Sequence, residues 1–188
     1  MLFEIKELEA CVWISAFDIK PDGVEDVLRL MQEKFPDISV QLVDLDKVAG
    51  SRYLLLATFN ALKSFRSKQP IARSLSMEIL LYVAANRQIG EALKNVGVTA
   101  ETRRVAAIVV SKSREQVLNP AGALREILKK EESDQLVDEW DKERIEHVRS
   151  ALGIGDKEIR ATLRKNEDPA KAVERLAIER SAMLTIKK

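Results

Sequence analysis

Apolar residues recur along this chain with two different periods, and the switches between them mark out its elements. Cys11-Val-Trp-Ile-Ser-Ala-Phe17 is dense in β-favouring residues and stops before Pro21-Asp-Gly23, a turn signature. Val24, Val27, Leu28, Met31 and Phe35 then fall on one helix stripe closed by Pro36, and Ile38, Val40 and Leu42 alternate as in a strand. Tyr53 to Phe65 reads as a helix with Ser51 as its N-cap. Its apolar positions cover more than one face, so it should be largely buried.

The same reasoning continues down the chain. Ser74 caps a helix over Leu75 to Ala84, and Asn86 caps another over Arg87 to Asn95. Gly97 stands where a left-handed residue often ends a helix. Arg104 to Val110 is a continuous β-branched run suited to a central strand. Asn119-Pro120 reads as a helix start, with that helix running to about Lys130. Asp141 to Leu152 forms a helix ended by Gly153, and Asp156 and Asp168-Pro169 open two more. Strand signal is almost absent from Asp141 until Met183-Leu-Thr-Ile186. The pattern predicts an α/β protein, a mixed β-sheet core packed with helices over 1–135. A helical C-terminal portion over 136–188 should pack on that core.

Composition narrows the class. A chain of 188 residues with 46% hydrophobic and 32% charged content is long enough to bury roughly 70% of its unfolded surface without a staple. Cys11 is the sole cysteine, which excludes an intramolecular disulfide and suits a reducing compartment. No apolar run has the length of a membrane span, and the N-terminus lacks the basic and apolar regions of a signal peptide. A cytoplasmic protein is expected.

Catalytic signals are thin. One histidine, His147, and one cysteine do not supply the first shell of a typical zinc site, so no metal is expected. Glycine-rich phosphate loops and nucleophile elbows are missing from the sequence. No cofactor is expected, and a carboxylate-only hydrolase is the remaining enzymatic alternative. Residues 131–146 hold eight acids against two bases, which reads as a solvated acidic face.

Charge is distributed unevenly in the opposite sense earlier on. From position 47 to 77 there is no acid, but six bases: Lys47, Arg52, Lys63, Arg66, Lys68 and Arg73. The chain total is only +1, so everything else sums to −5. Such a field is expected where a polyanion docks, although local runs are more often simply solvated. Arg87 and Gln88 sit at the junction of two helices. A guanidinium there can fork onto phosphate or stack on a base, and an amide can pair with a base edge. Alternatively, both satisfy backbone groups at the junction.

Several of these stretches resemble one family. Val48-Ala-Gly-Ser-Arg-Tyr-Leu-Leu-Leu-Ala, Asn60-Ala-Leu, Phe65, Pro70-Ile-Ala-Arg-Ser and Met77-Glu-Ile-Leu lead into Asn86-Arg-Gln-Ile-Gly-Glu-Ala-Leu93. Together they are similar to the kinase-binding subunit of the KEOPS complex, with a weaker echo at Ala172-Val-Glu-Arg-Leu-Ala-Ile-Glu-Arg. The resemblance implies a non-catalytic accessory subunit in the synthesis of N6-threonylcarbamoyladenosine on tRNA. Such a subunit binds the complex's small kinase and recruits tRNA through its 3′ end. On that footing Lys63, Arg66, Lys68, Arg73, Arg87 and Gln88 become the expected tRNA contacts. A protein-only adaptor of the kinase is the alternative.

The C-terminal helix supplies the expected kinase contact. Val173, Leu176 and Ala177 form a stripe for the protein's own core. Ile178 lies about 140° from Val173 around the helix and so faces elsewhere. Ile178 and Ala182 are the candidate partner-binding residues.

Overall fold

The computed structural model describes residues 1–19 and 23–186. Four strands form one sheet: β1 (Leu2–Ile5), β2 (Ala10–Asp18), β3 (Ser39–Asp44) and β4 (Arg104–Ser111), in the order β1-β2-β4-β3. Each neighbouring pair is antiparallel, and the central pair sets Ile14 opposite Ile108. Side chains alternate between the two faces of a strand, so β2 and β4 feed two separate cores. Val12, Ile14 and Ala16 join Ala106, Ile108 and Val110 on one face, while Trp13 and Phe17 join Val105, Ala107 and Val109 on the other. This double burial accounts for the unbroken apolar run of β4.

Helices cover both faces. The Trp13 face is packed by α1 (Val24–Lys34) and α5 (Arg114–Leu128). The Ile14 face carries α2 (Ser51–Arg66), α3 (Leu75–Val83), α4 (Ile89–Val96), α6 (Asp134–Asp138), α7 (Lys142–Leu152) and α9 (Pro169–Met183). The short α8 (Asp156–Thr162) packs on α9. As the pattern predicted, Val173, Leu176 and Ala177 are buried in the core under α9. Beyond the end of β1, Ser133 exchanges two backbone hydrogen bonds with Ala16 (2.8 and 3.3 Å) and prolongs the line of β1 along β2.

Several expected boundaries are corrected. β1 carried too few residues to register as a strand. α2 is capped by Gly50 at φ +89°, and Ser51 is its first helical residue, because the Ser51 side chain is turned to Asp138 instead (2.7 Å). α4 begins at Ile89 with Gln88 at its cap. Asn86 acts one step earlier, its side-chain oxygen accepting from the Gln88 N–H in a local turn (2.9 Å).

Gly97 is not left-handed (φ −66°), and a Cβ there would lie 2.3 Å from the Leu93 carbonyl oxygen. Close approach explains that glycine. Asn119-Pro120 lies inside α5, whose cap is Ser113, accepting from Gln116 N–H at 3.3 Å. Pro120 is tolerated seven residues into the helix at the loss of one backbone bond. Leu184 to Ile186 form turns after α9, with no strand. The turn read at Pro21-Asp-Gly23 lies, but for Gly23, outside the described residues.

Candidate nucleic-acid and partner interface

The acid-free stretch does not form one surface. α2 is 16 residues long, about 24 Å end to end, and it carries Arg52 in its first turn and Lys63 and Arg66 in its last. Lys68 and Arg73 follow in the connection to α3, so Lys63, Arg66, Lys68 and Arg73 share one end of the helix pair. Lys47 is withdrawn into a pair with Asp44 (3.3 Å). Lys63, Lys68 and Arg73 are exposed and have no hydrogen-bond or ion-pair partner among the described residues. Arg66 does have partners: it donates to the Glu7 carbonyl (2.6 Å) and the Glu9 carboxylate (2.8 Å) beside β2. It is an engaged cation, unlike the side chains of its three neighbours.

The connection that carries Lys68 and Arg73 is built from its own backbone. Ser64 Oγ donates to the Gln69 carbonyl (2.9 Å), and Lys68 stands at φ +54° as the chain turns back. The decisive group is Glu78, in the first turn of α3 and fully buried. Its carboxylate accepts from the Ala72 N–H (2.7 Å) and the Ile71 N–H (2.9 Å). The first acid after the basic stretch therefore fixes the backbone immediately before Arg73. It stands in the N-terminal turn of α3, where a helix favours an acidic group.

Arg87 and Gln88 lie at the other end of α3. Tyr53, near the start of α2, donates its hydroxyl to the Val83 carbonyl, so α3 runs back along α2 and ends beside α2's first turns. Burial pushes the Tyr53 hydroxyl's pKa well up, which keeps it a donor. α3 spans nine residues, so roughly 13 Å of helix separates Arg87 and Gln88 from the Arg73 end. Arg87 reaches the Leu184 carbonyl (3.4 Å) and Gln88 caps α4, while both stay exposed. The structure thus brings together four of the six expected tRNA residues and keeps the other two apart.

On α9, Ile178 is half-buried and packs against the core, whereas Ala182, one turn further, is exposed together with Met183. Ile178 was expected on the outer flank and lies at its margin.

Two further residues carry the architecture around α2. Arg144 is 1% exposed, yet among the described residues it meets no carboxylate within hydrogen-bond reach. Its guanidinium donates to the carbonyls of Val48 (3.0 Å), Leu136 (3.0 Å), Val137 (2.8 Å) and Glu139, and it lies 5.2 Å from the Trp140 ring centroid. Burial, followed by the like charge of Arg104, pushes its pKa down to about 10. On α9, Arg175 forks onto Glu167 (2.6 and 2.7 Å). That bond, more than any other cause, holds the Glu167 carboxyl down to about 2. Among the described residues no helix is long and apolar enough to cross a membrane.

Residues 23–184 match the family model described as kinase binding protein CGI-121. The Regulatory protein Cgi121 of Methanocaldococcus jannaschii is 37% identical over 60 residues, which is 32% of this chain. The match spans 39% of that relative's length.

Proposed function

Since this chain belongs to the CGI-121 family of kinase-binding proteins, we propose that it is the non-catalytic accessory subunit of the KEOPS tRNA-modification complex. In this role it binds the small kinase through the C-terminal end of α9 and holds tRNA near its 3′ end for N6-threonylcarbamoyladenosine synthesis. The relative from Methanocaldococcus jannaschii is named as a regulatory protein, in keeping with a subunit that performs no chemistry of its own.

The observation that carries the RNA half is the set of partnerless cations Lys63, Lys68 and Arg73 at one end of α2 and α3, on a turn fixed by Glu78. Phosphate is what such a turn meets best. Arg87 and Gln88, one helix length away, take the terminal nucleotides, so the RNA lies along α3. Arg66 contributes least, because Glu9 already neutralises it.

Binding of unfractionated tRNA to the isolated protein should weaken with salt, by a slope of about −0.7 per single-strand phosphate contact. Lys63→Glu with Arg73→Glu should lower the affinity and flatten that slope. Arg66 is left out because a glutamate there would also repel Glu9. Unchanged affinity and slope in the double variant would remove RNA from this surface. A protein-only adaptor of the kinase is the second reading, and it is favoured by the gap between the two groups of residues. That reading predicts no salt-dependent shift of tRNA at all.

The kinase half is tested on α9. Ala182→Arg, at an exposed position, should abolish capture of the kinase while leaving the melting temperature within about 1 °C. Ile178→Arg should do the same to binding and also lower stability by about 1–2 kcal/mol, because part of that side chain lies in the core. Wild-type capture by folded Ala182→Arg would move the interface off this end of α9.

A further inference from the structure

The first turn of α2 forms one wall of a cleft of about 730 Å³, closed on the far side by the α8–α9 connection and by α9 itself. Arg52, Arg164, Lys171 and Arg175 project into it against two acids, Asp138 and Glu174. These charges are not equivalent. Asp138 is occupied by Ser51, accepting from its N–H (2.8 Å) and its hydroxyl (2.7 Å). Glu174 holds Lys171 at 3.3 Å, and Arg175 is committed to Glu167. The side chains of Arg52 and Arg164 are exposed and make no hydrogen bond and no ion pair within 4 Å among the described residues, although Glu167 lies within the field of Arg164.

The cleft is also held in shape before anything binds. The Arg164 N–H donates to Glu167 (3.0 Å), and Arg175 ties the same carboxylate and the Thr162 carbonyl (2.9 Å) to α9. The loop that offers Arg164 is therefore fixed at both ends. Opposite it, the Trp140 indole lines the cleft, with the Arg144 guanidinium set against its ring. Two guanidinium groups without hydrogen-bond partners, lining one aromatic-walled cleft from two different elements, suit a chain of phosphates better than a compact anion.

We infer that this cleft is a second RNA-contact surface, in which Arg52 and Arg164 engage backbone phosphates away from the Lys63–Arg73 turn. Arg52 belongs to the same acid-free stretch as that turn, at the opposite end of α2, so a folded RNA lying along the α2–α3 pair meets both ends. The inference rests on the tRNA reading above and adds to it a contact from the α8–α9 connection. It also gives a role to Arg164, which no motif had singled out.

The test uses the full chain with unfractionated tRNA as the RNA probe and polyglutamate as the acidic-protein probe. Arg52→Gln with Arg164→Gln removes no internal bond, so the variant should fold and melt like the wild type. Two lost single-strand contacts reduce the salt slope by about 1.4, which at 0.1 M salt corresponds to about 25-fold weaker tRNA binding. If this variant binds tRNA as the wild type does while Lys63→Glu with Arg73→Glu loses binding, the tRNA reading stands and the second surface is overturned. If neither variant changes binding, both fail. If polyglutamate binding depends on Arg52 and Arg164 and tRNA binding does not, the cleft serves an acidic protein and the inference is again overturned.

Discussion

Glu78→Ala should lower the melting temperature by on the order of 10 °C and weaken tRNA binding, although residue 78 touches no ligand. The carboxylate is fully buried and accepts from two consecutive backbone N–H groups, Ile71 and Ala72. Removing it leaves those donors unpaired, at about 1–3 kcal/mol each. In a chain of this length each kcal/mol is worth about 2–4 °C. The segment that carries Lys68 and Arg73 then loses its fixed course, and binding must bear the cost of ordering it.

Glu78→Gln separates the two consequences. The amide oxygen can take the position of the carboxylate oxygen nearest Ala72 and accept from both donors, so most of the stability should return, and tRNA binding with it. Amide exchange at Ile71 and Ala72 reports on the turn directly. Protection that survives in Glu78→Ala would show that the turn holds itself and that Glu78 has no positioning role.

Arg144→Met should be the more damaging change, destabilising the fold by about 3–5 kcal/mol. Two effects oppose each other. Deleting a buried cation relieves the desolvation cost that depresses the Arg144 pKa. It also orphans the carbonyls of Val48, Leu136, Val137 and Glu139 and leaves Trp140 without its stacked neighbour. Four unpaired acceptors outweigh one relieved charge, since each buried orphan costs about as much as a whole net hydrogen bond gains, or more. Arg144→Lys should recover only a minor part, because an ammonium has three donors and no planar fork to reach carbonyls on three sides. Denaturant titration measures both variants. A Met variant within 1 kcal/mol of wild type would mean that water replaces the guanidinium at those carbonyls.

Neither of these two residues stood out in the sequence, and the reasons differ. Arg144 sits in a stretch of eight acids and two bases and reads as one more solvated charge, yet it is among the largest fully buried side chains of the protein. Nothing in its neighbours announces that four carbonyls will converge on it, because these belong to a loop 96 residues earlier and to the C-terminal end of the short helix α6. Glu78 did leave a trace. It is the one charge in Leu75–Val83, an otherwise apolar helix, and a lone carboxylate so placed must find donors.

The elements that read correctly are those whose signal is local. α1 and its stripe, β4 and its β-branched run, the helix ended by Gly153, the Asp168-Pro169 helix start and the Ser74 cap all follow from residues within one or two turns. Misread boundaries are those where a distant partner takes the deciding group. Ser51 would cap α2 if Asp138 did not claim its hydroxyl. Pro120 would open a helix if Ser113 had not already capped one. The split of the basic stretch between the two ends of α2 has a different origin. A run of charge along the sequence becomes a patch only if the chain turns, and a 16-residue helix carries it straight.

The strand order has a consequence for how the chain is made. Ile14 and Ile108 face each other at the centre of the sheet, 94 residues apart. At translation rates of about 5–20 residues per second, β2 waits roughly 5–19 s for β4 to emerge. During that interval β1 covers only one edge of a strand whose residues from Ala10 to Phe17 are all buried in the finished protein. An apolar strand with an open edge is a template for other nascent chains. Synthesis of this protein therefore passes through a window in which the open edge and apolar faces of β2, rather than the stability of the native fold, set its exposure to association with other chains.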